Sequence, residues 1–81
     1  MKIDAKIAFS DEVAEKLDRN WIRVPVDIDY VEDNEDSVKT WVMNELEVMF
    51  NQAFNYEDFK ITNMDEVLEE IKFDEFEDKI N

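Results

Sequence analysis

The chain has 81 residues, with 23 Asp and Glu against 9 Lys and Arg for a formal net charge of −14, and it contains no cysteine, histidine or glycine. That length holds one domain, which hides only about 60 to 65% of the unfolded chain's surface and is too small to enclose a deep cleft. A hydrophobic content of 44%, with 12% of the residues aromatic, excludes a disordered acidic tail.

Ile3, Ala5, Ile7 and Phe9 alternate with Lys2, Asp4 and Lys6, the period-two pattern that predicts a strand over residues 2–9 with one buried face. Ser10 is placed to cap a short helix, since Asp11 and Glu12 suit its positive end and Val13, Ala14 and Leu17 make one apolar stripe; Asn20 is the expected stop. In the next strand Ile22, Val24, Val26, Ile28 and Tyr30 point one way, and Arg23, Pro25, Asp27 and Asp29 the other. Pro25 cannot donate to a ladder, which places this strand at an edge or a bulge. Glu32, Asp33, Asn34, Glu35 and Asp36 form the loop that follows.

From Ser37 to Asn55, the residues Val38, Trp41, Val42, Leu46, Met49, Phe50, Ala53 and Phe54 recur at three and four, which predicts the main core helix, capped by Asp36 or Ser37. Phe59 and Ile61, with Tyr56 nearby, suggest a short third strand. Asn63 with Glu66 resembles a capping box that opens a last helix, with the stripe Met64, Val67, Leu68 and Ile71. Beyond Lys72 the spacing of Phe73, Phe76 and Ile80 fits a continued helix or a docked tail, and a strand over 72–76 is the alternative. The expected fold is α+β in the order β-α-β-α-β-α, a three-stranded, mainly antiparallel sheet with helices packed on one face. A parallel crossover between the first two strands is the alternative topology. Without glycine, turns fall to Asn and Asp, which tolerate left-handed backbone.

The missing residue types remove most chemistry. Histidine, cysteine and glycine are the usual neutral-pH proton shuttle, thiolate nucleophile and phosphate-cradling loop. Ser10, Ser37, Thr40 and Thr62 have no nearby base, and three of the four suit capping or helix-edge positions. Carboxylate pairs are too numerous to single one out as an acid and base. Asp27, Asp29, Asp33, Asn34 and Asp36 fail calcium-loop spacing, because a loop starting at Asp27 puts Glu32 at the glycine place and Val38 at the closing acid. No catalytic residue, cofactor or metal ligand is expected, and the chain reads as a binding protein that is not an enzyme.

Charge distribution says more than its total. Residues 21–36 carry a net −5 and residues 63–81 a net −6, eleven of the fourteen excess charges. In the second stretch Asp65, Glu66, Glu69, Glu70, Asp74, Glu77 and Asp78 recur three and four apart, and each like-charged helical pair costs a few tenths of a kcal/mol. An i,i+4 step rises roughly 6 Å, the scale of a nucleic-acid backbone with its charge about every 3.4 Å per strand. The plainer reading is a solvated helix face, against which stands the scarcity of alternating lysines.

In chain size, in the acidic loop Glu32-Asp33-Asn34-Glu35-Asp36 and in the acidic segment Asp65 to Asp78, the sequence resembles the small acidic proteins that phages and mobile elements encode against host defence, including anti-CRISPR proteins and other DNA mimics. The resemblance implies inhibition by occupancy: carboxylates sit where phosphates would sit on a basic nucleic-acid-binding surface, inside a bacterial cytoplasm. The expected partner-binding residues are Asp27, Asp29, Glu32, Asp33, Glu35, Asp36, Asp65, Glu66, Glu69, Glu70, Phe73, Asp74, Glu77 and Asp78, with Trp21 and Phe76 as further apolar anchors. Such strong negative charge repels nucleic acid and anionic membrane directly. No run of about 20 apolar residues spans a bilayer, and residues 1–10 are unlike a signal peptide. A monomer is expected. The competing reading is an antitoxin-like or assembly module that dimerises through Trp41 or Phe76.

Overall fold

The computed structural model describes the backbone of residues 1–80 and the side chains of residues 1–74. The elements follow in the expected order: β1 (Lys2–Phe9), α1 (Asp11–Leu17), β2 (Trp21–Asp27), α2 (Glu35–Phe50), β3 (Phe59–Ile61) and α3 (Met64–Ile80), with one 3-10 turn at Tyr56–Asp58. β1 is central and antiparallel to both neighbours in the order β2-β1-β3, so the parallel crossover is ruled out. Residues 72–76 continue α3 and add no strand.

Period-two alternation decides which side of the sheet is covered. Ala5, Ile7 and Phe9 of β1, Val24 and Val26 of β2, and Phe59 and Ile61 of β3 are all buried. They form one cluster with Val38, Val42 and Leu46 of α2 and with Met64, Val67 and Ile71 of α3. Val13, Ala14 and Leu17 of α1 pack half-buried against the same cluster, and Phe9, Phe50 and Phe54 close one end with ring centroids 6.0 to 6.3 Å apart. The helices thus pack on one face of the sheet. Its other face, carrying Lys2, Asp4, Lys6, Trp21, Arg23, Pro25 and Lys60, is exposed.

Pro25 lies on the edge strand β2, where a missing N–H breaks no ladder. Its carbonyl accepts a hydrogen bond from the Trp41 indole Nε1 at 3.0 Å. The half-buried Trp41 thereby ties α2 to that edge and occupies a group that would otherwise template a foreign strand. β2 stops at Asp27, short of Tyr30, because the Tyr30 N–H turns back to the Asp27 carbonyl at 3.1 Å; the ring is left 77% exposed.

Helix ends differ from the sequence reading for local reasons. The cap of α2 is Asn34 and not Asp36 or Ser37: the Asn34 Oδ1 accepts from the Ser37 N–H at 2.8 Å, while the Ser37 Oγ accepts from the Glu32 N–H at 2.9 Å. α2 ends at Phe50, five residues before the expected Asn55, because Asn51 is left-handed at φ 52°; α1 ends on Asp18 at φ 55°, ahead of Asn20. These are the positive-φ residues among those described, and both are of the type a glycine-free chain must use there. Asn51→Ala is expected to cost about 1 kcal/mol, since alanine has no side-chain amide to ease the left-handed geometry. Chemical denaturation should register it as a lower midpoint with an unchanged slope.

Asn63 has a larger role than capping. Its Oδ1 accepts from the Lys6 N–H at 2.8 Å and its Nδ2 donates to the Asp4 carbonyl at 3.0 Å, so a side-chain amide extends the pairing of β1 past the end of the three-residue β3. The same Nδ2 lies 3.4 Å from the Glu66 Oε2, which accounts for the spacing read as a capping box. Asn63→Ala should cost about 1 to 2 kcal/mol, because two strand groups lose their partners. Melting is expected to fall by about 4 to 8 °C for each kcal/mol lost, and the Lys6 amide should exchange faster with solvent.

Candidate anionic interface

The acidic loop and the first turn of α2 are shaped by side-chain caps. The Asn34 Nδ2 donates to the Glu32 Oε2 at 3.2 Å, while Glu35 and Asp36 occupy the first turn of α2, where the helix dipole favours anions. Asp29, Glu32, Asp33, Glu35 and Asp36 are exposed, and Asp27 is half-buried. On α3 the buried residues Met64, Val67 and Ile71 define the inner side. At 100° per residue the opposite side carries Asp65, Glu66, Glu69 and Phe73, with Glu70 and Lys72 on its two flanks. Asp65, Glu66 and Glu69 are exposed, Glu70 and Asp74 half-buried, and Phe73 is 60% exposed. The side chains of Phe76, Glu77 and Asp78 lie outside the described residues.

The two acidic stretches, distant in sequence, are related through the amino terminus. Glu35 at the start of α2 and Met64 at the start of α3 line one small concavity of about 210 Å³, but Lys39 and Lys60 line it too, so cations stand beside the one acid there. Farther along, the Met1 amine lies 3.0 Å from the Asp29 Oδ2 and 3.8 Å from the Asp27 Oδ1. That amine is held above its ordinary value of 8.0, first by the Asp29 hydrogen bond; desolvation opposes this, and the fields of Asp29, Asp27 and Asp74 add to it. The field of Asp74 on α3 thus reaches the same cation as Asp27 and Asp29. Asp27 and Asp29 spend part of their charge inside the molecule, and the Asp29 N–H also bonds the Asp27 Oδ1 at 3.2 Å. The outer side of α3 and the first turn of α2 hold the acids most available to a partner.

Sequence reasoning missed the open sheet face. Lys6 of β1 stands directly across from Arg23 of β2, and Ala8 lies between Trp21 and Lys60 in the next row. The Arg23 guanidinium sits 5.6 Å from the centre of the 57%-exposed Trp21 ring. Four of the nine cationic residues, Lys2, Lys6, Arg23 and Lys60, share this face, and none has a carboxylate within ion-pair distance among the described residues. The alternation in each strand signalled an outward direction for each residue; the strand order that assembles them did not follow from it.

Among the described residues no cluster of three or more His, Cys, Asp or Glu could hold a metal ion, and no helix is long and apolar enough to cross a membrane. No protein family, curated protein or solved structure matches this chain.

Proposed function

We propose that the chain is a stoichiometric inhibitor that masks the basic nucleic-acid-binding surface of a host defence protein, acting by occupancy and without catalysis. The observation that carries this reading is the outer side of α3, where the exposed Phe73 stands opposite the buried stripe on one side with Asp65, Glu66 and Glu69, flanked by Glu70 and Lys72. Solubility alone asks for charge and gives no reason to expose a phenylalanine amid it. An apolar anchor ringed by acids is the arrangement by which a binding face obtains both fast, steered association and slow release. The exposed first-turn acids of α2, Glu35 and Asp36, are a second anionic stretch of the surface.

The test uses the chain immobilised at low ionic strength against a bacterial lysate. A captured protein that is released by heparin or by duplex DNA, and that falls away steeply as salt rises, supports the reading, because the competitor and the chain then claim one cationic surface. A captured protein indifferent to both removes the mimicry.

A further inference from the structure

We infer that the open sheet face is a docking site for the acidic side of α3 of a second copy of this chain. Two features that are separately unfavourable point to it. On the sheet, Lys6 and Arg23 are directly paired across β1 and β2, a like-charged juxtaposition that weakens the sheet. On α3, Glu66 and Glu70, and Asp65 and Glu69, repeat like charge at i,i+4, which weakens the helix. Asp4 and Asp27 on the sheet face and Lys72 on α3 offset these charges only in part; brought together, each set supplies counter-charges that the other is short of.

Shape agrees with charge. Because Ala8 is small, the sheet face has a shallow depression of about 360 Å³ lined by Lys6, Ala8, Trp21, Arg23 and Thr62, with an aromatic wall and two cations at its rim. The exposed Phe73 is a side chain of suitable size for it, and its flanking Glu69 and Glu70 would then meet Lys6 and Arg23. The two surfaces lie on opposite layers of one molecule, so the contact is heterologous and joins copies head to tail. With a net −14 on each copy, long-range repulsion opposes the encounter and only the local match favours it. Association is therefore weak, with a dissociation constant on the order of 10⁻⁴ M, and the dilute protein is monomeric.

The inference uses the same side of α3 as the proposed inhibitor surface, but it does not require that reading. The experiment is sedimentation velocity of the full chain over a concentration series, with two double variants. Lys6→Glu with Arg23→Glu leaves the sheet pair like-charged, as it is now, and touches nothing on α3. Glu69→Lys with Glu70→Lys changes α3 alone. Each variant by itself should lose self-association by about tenfold or more, as expected for two lost charge pairs. An equimolar mixture of the two should regain it, since each then offers what the other needs, although both remain net negative. A wild type that stays monomeric at millimolar concentration, variants that associate like the wild type, or a mixture that fails to recover would each overturn the inference. The sheet variant should still capture the basic partner, so the failure of one reading is distinguishable from the failure of the other.

Discussion

Replacement of Leu46 by alanine is expected to remove about 3 to 5 kcal/mol of stability. Leu46 is fully buried, and it is the largest of the three α2 side chains, with Val38 and Val42, that enter the single core cluster. Alanine is the better helix former, so the loss cannot arise within α2 and measures the cavity left between helix and sheet. A domain of this size has roughly 4 to 12 kcal/mol in total, and no disulfide supplements it. The variant should thus be partly unfolded at 37 °C, or nearly so. Leu46→Met, which conserves volume, should cost less than about 1.5 kcal/mol. Urea titration of the three proteins checks the ranking, and a Leu46→Ala loss under about 1 kcal/mol would mean that α2 is not seated on the sheet as described.

Glu69→Lys with Glu70→Lys should strengthen the fold and weaken binding, two effects of opposite sign from one change. At present Asp65–Glu69, Glu66–Glu69, Glu66–Glu70 and Glu70–Asp74 are like-charged at three or four residues. The double change turns all four into opposite-charged pairs, while the favourable Glu69–Lys72 pair becomes a repulsion, a net of three conversions. At a few tenths of a kcal/mol for each removed repulsion and each new attraction, the gain is about 1 to 2 kcal/mol. Affinity for the basic partner, by the proposed mechanism, should fall by about 100-fold or more, because two charges at the centre of the contact become repulsive. Asp74 is left unchanged because its field also acts on the Met1 amine. Thermal melting and surface plasmon resonance on the captured partner measure the two effects. A stabilised variant with unaltered affinity would reduce these acids to a solvated helix face.

That trade is the physical content of the proposed function. Residues placed for packing lower the energy of the fold, whereas the like-charged pairs along α3 raise it, offset in its first turn by the helix dipole. Stability surrendered at a surface marks a place where something besides folding sets the sequence. The exposed Phe73 in their midst belongs to the same account.

The sequence by itself determined the elements and the inner side of each, although Tyr30, Met49 and Ala53, read as inward, are exposed. Alternation at Ile3, Ala5, Ile7 and Phe9, and again at Val24 and Val26, requires one buried face, and the three- and four-residue spacing of Val38, Val42 and Leu46 requires a helix to cover it. Pro25 pointed to an edge or a bulge and lies on the edge, and the absence of glycine foretold Asn or Asp at the left-handed positions, although Asp18 and Asn51 take them ahead of the expected Asn20 and Asn55. Helix ends were legible less well, because competing caps such as Asn34 and Ser37 lie within three residues of one another and their order is settled by backbone geometry. Only the tertiary structure decided what depends on pairing between distant segments. The ladder of Asn63 with Lys6 and Asp4, the approach of Asp27, Asp29 and Asp74 to one amine, and the gathering of Lys6, Arg23, Lys60 and Trp21 on one open face all follow from the order β2-β1-β3. Local periodicity fixes the direction of a side chain relative to its own backbone, and strand order is a global choice made by burial of the whole core.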